Sequence, residues 1–172
     1  METANDEVFA MAREAGLAGD VGATVVAALI HEDHLAWVSV GDSRLYLLRQ
    51  GELHRITIDH SYDMHLAAMV RDGEISREEA LSHPEKDALT SYIGIPELRE
   101  VDLCEHPIPL ESGDWIMVCS DGLYGSLDKE EIIPLLAGDP QQASDRLVQA
   151  VMAKDRKRQD NTTLAIIALM DE

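Results

Sequence analysis

Positive charge is scarce in this chain. Only 14 lysines and arginines stand against 33 acidic residues, a formal net charge of -19 over 172 residues. Such a surface repels phosphate backbones and anionic headgroups at long range, which excludes nucleic acid and membrane as partners. The one basic cluster, Lys154 to Arg158, is too short to reverse the sign and reads as the end of a helix, where cations suit the negative end of the dipole. Cysteine is nearly absent. Cys104 and Cys119 both fall in apolar, strand-like stretches, and without a secretory leader they read as reduced core thiols of a cytoplasmic protein. No hydrophobic run approaches the roughly 20 residues needed to span a bilayer. Internal repeats, low-complexity tracts and linkers are also lacking.

What remains is an ordinary globular composition, 45% hydrophobic and 27% charged, long enough for a single domain over residues 1–172. Val8, Met11, Ala12 and Ala15 share one face of an opening helix that Gly16 would cap. Strand patterns follow over 23–30, 35–40, 44–49 and 53–58, separated by short turns, and read as an antiparallel meander. Residues 59–98 are polar and helical. Leu66, Met69 and Val70 mark one helix ended by Gly73, and Ser76-x-x-Glu79 is a capping box for another that His83-Pro84 stops. This segment reads as a flap inserted between strands. Sheet signals resume over Val101 to Ile108 and Trp115 to Cys119. Helices begin near Asp128-x-x-Glu131 and Asp139-Pro140, and a last strand runs from Thr162 to Leu169. The pattern is α+β, antiparallel sheet with helices packed outside it.

Three aspartates carry the chemistry. Asp42 and Asp121 each follow an apolar strand-like run, and Asp160 precedes one. Carboxylates held rigidly at strand tips repel one another if they converge, unless a cation lies between them, and hard divalent ions take oxygen ligands. Local grounds alone leave other roles open: a Gly-Asp-Ser turn for Asp42, an N-cap or turn for Asp121, a helix-to-strand turn for Asp160.

The stretches Val40-Gly41-Asp42-Ser43-Arg44, Cys119-Ser120-Asp121-Gly122-Leu123 and Gln159-Asp160-Asn161-Thr162 resemble, in order and strand context, the type 2C metal-dependent protein serine/threonine phosphatases, the PPM family. Asp59-His60-Ser61, Asp72-Gly73-Glu74-Ile75 and His83-Pro84 resemble the flap of its bacterial branch. The resemblance implies a layered sandwich of two antiparallel β-sheets flanked by helices. It implies hydrolysis of phosphoserine and phosphothreonine by metal-activated water, with no side chain as nucleophile. Asp121 and Asp160 would ligate catalytic manganese or magnesium, and Asp42 would help hold a further ion, two or three in the complete family site. His60 and Ser61 stand at the flap entrance as candidate substrate-side residues. Implied partners are phosphorylated proteins, with a cognate serine/threonine kinase and its substrates. The family's Asp-Gly-x-Gly-Gly motif is not found in this sequence. The resemblance is therefore to a member without its first strands and first helix, a truncated catalytic domain that is either a fragment of a longer protein or a shortened protein with an incomplete site. The alternative is an inactive pseudophosphatase that binds phosphoproteins or another partner without hydrolysis.

Overall fold

A computed structural model describes residues 1–157 and 159–170. Arg158, the last member of the basic cluster, lies outside the described residues. The chain forms two compact units, one of residues 1–25, 39–42 and 59–102, the other of 26–38, 43–58 and 103 onward.

The second unit is built on two antiparallel sheets. In one, β1 (Val25–His31), β2 (His34–Val40) and β5 (Asp102–Leu103) are neighbours in that order, and β6 (Ile108–Pro109) also pairs with β2. The other has the order β4–β3–β7–β8, formed by β3 (Arg44–Arg49), β4 (Glu52–Arg55), β7 (Trp115–Cys119) and β8 (Leu164–Ala168). In β3 four successive residues, Leu45 to Leu48, are buried because each face of the strand meets a different apolar layer. Leu45, Leu47, Ile116 and Val118 join Val26, Ile30, Leu35 and Trp37 of the first sheet. Tyr46, Leu48, Trp115, Met117 and Cys119 pack instead on residues of three helices, α4 (Asp121–Tyr124), α5 (Lys129–Ile132) and α6 (Pro140–Ala153), with Leu123, Ile132, Leu147 and Val151 buried there. Strict alternation along β3 and β7 thus sorts one set of side chains into each layer.

An ion pair pins the turn before β7. Arg49 donates from Nε to Asp114 Oδ1 at 2.9 Å and from Nη2 to Oδ2 at 2.6 Å, and the Glu111 amide donates to Oδ2 at 2.8 Å. The Arg49 guanidinium, and then the Glu111 amide, hold the Asp114 carboxyl below the usual carboxylate range against the opposing effect of burial.

The expected meander is divided. β1 and β2 belong to one sheet and β3 and β4 to the other, so the Gly41–Ser43 turn changes sheets rather than closing a hairpin. Nor is 101–108 one strand. Only 102–103 and 108–109 pair as strands, and Pro107, which has no N–H to donate, lies in the gap.

In the first unit α1 (Glu2–Glu14) ends in a Schellman closure. Gly16, at φ 71°, donates to Arg13 and Leu17 donates to Ala12. Its buried face departs from the expected one. Met11 is 68% exposed and Ala15 is exposed, whereas Asn5 is buried beside Ala12. Asn5 Nδ2 donates to the Ile95 carbonyl at 2.9 Å, and its Oδ1 accepts from the Gly94 and Ile95 amides at 2.9 and 3.1 Å. The flap residues form α2 (Tyr62–Arg71), closed at Gly73, and α3 (Arg77–Leu81), whose Ser76–Glu79 capping box is complete in both directions. Among the described residues no helix is long and apolar enough to cross a membrane.

Candidate functional site

In the second unit β7 runs out at Cys119, and Ser120 is the N-cap residue, without a side-chain cap bond, of the short helix that opens with Asp121. Three hydrogen bonds fasten Ser120 to the approach to β8. Its amide donates to the Thr163 carbonyl at 3.0 Å, its hydroxyl accepts from the Thr163 amide at 3.0 Å, and that hydroxyl donates to the Asn161 carbonyl at 3.2 Å. Gly122 makes the approach sterically feasible. A Cβ there would sit 2.4 Å from the Asn161 carbonyl oxygen and 2.7 Å from Thr162 Oγ1, contacts no side chain could make. The same segment is anchored at the other end of α4, where Arg156 donates to the Gly125 carbonyl and Gln159 Nε2 to Ser126 Oγ at 3.0 Å. Asp160 lies between these two sets of bonds, its Oδ1 accepting from the Asn161 amide at 2.8 Å. The chain segments carrying Asp121 and Asp160 are therefore stitched side by side.

Beside them Arg44 lies 3.4 Å over the Tyr124 ring and donates to the Tyr46 hydroxyl at 3.1 Å. Burial raises the Tyr46 phenol above its ordinary range, with Arg44 opposing.

Asp42 belongs to the first unit. It follows Gly41, which has φ 98° and passes so close to Thr24 that a Cβ would lie 2.4 Å from Thr24 Cγ2. His60 holds this glycine from both sides. The Gly41 amide donates to His60 Nδ1 at 3.0 Å, and the His60 amide donates to the Gly41 carbonyl at 3.0 Å. Accepting at Nδ1 requires that nitrogen to be unprotonated. His60 is 7% exposed, so the imidazole positions the Asp42 turn from beneath. Ser61 precedes α2 as its N-cap residue, without a side-chain cap bond, and bridges to Leu89.

Among the described residues no group of three or more His, Cys, Asp and Glu side chains is placed to hold a metal ion. The second unit offers the pair Asp121 and Asp160. Two carboxylates suit a magnesium-like ion, which keeps several waters and takes one or two protein carboxylates. Thr162 Oγ1, buried without a hydrogen-bond partner next to the Asp121–Gly122 turn, adds an unsatisfied oxygen to that neighbourhood. Carboxylate and hydroxyl oxygens are donors of the kind that a hard divalent cation takes. Sequence order pointed to the aspartates. It did not point to Ser120, Gln159 or Arg156, whose roles arise from partners at least 30 residues away.

Two antiparallel sheets with helices packed outside make this an α+β sandwich, and comparison with known proteins narrows the class. Residues 6–165 match the family described as protein phosphatase 2C. The chain belongs to that family. It is 30% identical over 167 residues to the serine/threonine phosphatase stp of Listeria monocytogenes, covering 97% of this chain and 64% of that protein. It therefore spans just under two thirds of that relative's length. The solved serine/threonine phosphatase of S. agalactiae superposes with a TM-score of 0.84 at 32% identity, covering 98% of this chain and 67% of that one. The catalytic domain of the phosphatase PstP in complex with 2 manganese ions superposes with a TM-score of 0.76 at 28% identity, over 97% and 67% of the two chains.

Proposed function

We propose that this protein contributes the larger part of a phosphatase acting on phosphoserine and phosphothreonine in proteins, dependent on manganese or magnesium. The observation that carries the reading is the bonding of Ser120, and the close approach of Gly122, to 161–163, which holds the segments of Asp121 and Asp160 side by side within a family-matched fold. Asp121 and Asp160 would hold the ions, with Asp42 serving a further one. When bound, such ions lower the pKa of a water and polarise phosphoryl oxygens, so that no nucleophilic side chain is needed. The chain's own part is rigidity. Ser120, Gln159 and Arg156 keep the Asp160 segment against α4, and His60 keeps the Gly41–Asp42 turn in its left-handed conformation. Phosphoproteins are the implied substrates, a cognate serine/threonine kinase the implied partner and the cytoplasm the implied setting.

Calorimetric titration tests the assignment. Asp121→Asn and Asp160→Asn each replace an anionic ligand by a neutral one, and manganese affinity should fall at least tenfold in each. Unchanged affinity in both variants overturns it. The missing Asp-Gly-x-Gly-Gly motif of this sequence favours a second reading, a non-hydrolytic phosphoprotein-binding module. Manganese-dependent hydrolysis of p-nitrophenyl phosphate separates the two readings, since only the enzyme turns it over.

A further inference from the structure

In the first unit the Glu100 segment is held by two hydroxyl groups, with an imidazole at the edge of ion-pair distance. The buried Ser91 hydroxyl donates to the Glu100 backbone carbonyl at 2.8 Å, and the Thr90 hydroxyl donates to Glu100 Oε2 at 2.5 Å. The other oxygen, Oε1, lies 3.9 Å from His65 Nε2, too far for a hydrogen bond. Glu100 lines a cleft of about 300 Å³ together with Tyr62, His65, Thr90 and Arg99. Arg99 is the obvious internal cation, but its Nε and Nη2 both donate to Glu97 Oε2, at 2.9 and 2.7 Å. The Tyr62 ring has two imidazole neighbours, His65 with ring centroids 6.0 Å apart in stacked geometry and His83 at 5.1 Å and tilted. The cleft thus combines a preorganised carboxylate oxygen with a positioned aromatic ring.

We propose that this cleft binds an arginine or lysine side chain of a polypeptide, the cation at Glu100 Oε1 and the aliphatic stem along the Tyr62 ring. Carboxylate and aromatic face are the two groups that recognise such side chains in concert. The cleft volume is at the low end for ligand sites, suiting one long side chain rather than a cofactor. The net charge of -19 draws basic segments toward the protein at long range. The inference rests on the phosphatase reading in that the polypeptide would be the phosphoprotein substrate.

Fluorescence anisotropy with unphosphorylated peptides tests the cleft without requiring turnover. The probes are a labelled glycine- and serine-rich peptide carrying a single arginine and its arginine-to-glutamine counterpart. The arginine peptide should bind about tenfold tighter. Glu100→Gln retains an oxygen for the Thr90 hydroxyl but no charge, and should reduce that preference to under twofold. Tyr62→Leu, an independent variant that leaves the Glu100 hydrogen bonds intact, should reduce it about threefold. Equal binding of the two peptides by the unaltered protein, or full preference in both variants, overturns the proposal. Hydrolysis of p-nitrophenyl phosphate, which carries no peptide, reports on the phosphatase reading separately. Loss of that reading with the arginine preference retained leaves the cleft standing.

Discussion

Around Leu147 the second unit is apolar in every direction, with Tyr46, Met117, Leu123, Ile132 and Val151 gathered into one cluster and a second cluster on the other side of β3 and β7. Around Asn5 the first unit is different. Its buried positions include Asn5, Asp59, His60 and Ser91 among fewer large apolar side chains, and the bonds that define it run from those polar groups to backbone. Apolar layers tolerate exchange among side chains of similar volume, because burial is nondirectional. Polar staples do not, since each buried donor or acceptor left unmatched costs its own desolvation. The two units should therefore respond oppositely to the same kind of substitution.

The largest effect is expected at Leu147, which is fully buried under the β3–β7 sheet. Leu147→Ala should cost about 3 kcal/mol, the lost transfer free energy plus a residual cavity, whereas Leu147→Met should cost about 1 kcal/mol. Urea unfolding measures both, and equal losses would contradict nondirectional packing there. This unit has buried polar groups as well, and among them Asp114 is a carboxylate. Asp114→Asn should cost about 2 kcal/mol, less than a fully buried pair because the Arg49 side chain is 23% exposed. Its pH dependence has a definite sign. The folded carboxyl titrates below its ordinary value, so its stabilisation is present above about pH 4 and is lost as pH falls through the folded pKa. The stability gap between the unaltered protein and Asp114→Asn should close in that acidic window, and a gap constant down to pH 2 would remove the ion pair as its cause.

The same contrast explains what the sequence discloses. The capping boxes at Ser76–Glu79 and Asp128–Glu131, and the Asp139 cap before Pro140, are legible because all their partners lie within four residues. β3 and β7 are legible as apolar runs, although nothing local says that their two faces meet different layers. The change of sheet at Gly41–Ser43 is not legible, since a short glycine turn between strands has the grammar of a hairpin. The 101–108 segment carries a strand's composition but pairs only at its ends, where β2 lies alongside. Asn5 escaped because helix-face patterns are sought in apolar residues, and its three partners lie about 90 positions away. Among the candidate ligands, the order of Asp42, Asp121 and Asp160 was readable. The hydrogen bonds of Ser120 and His60 that hold those segments were not.

Asn5 offers the sharpest form of the comparison. Asn5→Ala removes the acceptor of the Gly94 and Ile95 amides and the donor to the Ile95 carbonyl, and should cost about 2 kcal/mol. Gly94 cannot readily shift to find other partners, because at φ 109° it is wedged between the Val21 carbonyl and the Val8 side chain. The informative variant is Asn5→Leu, which keeps the branch at Cγ and adds apolar surface. If apolar burial held α1 in place, leucine would be neutral or stabilising. Polar stapling predicts that leucine is at least as damaging as alanine, with faster amide exchange at Gly94 and Ile95 and unchanged exchange in β3 and β7. Amide hydrogen exchange of the two variants decides between them, because only unmatched backbone donors at 94 and 95 make alanine and leucine equivalent there.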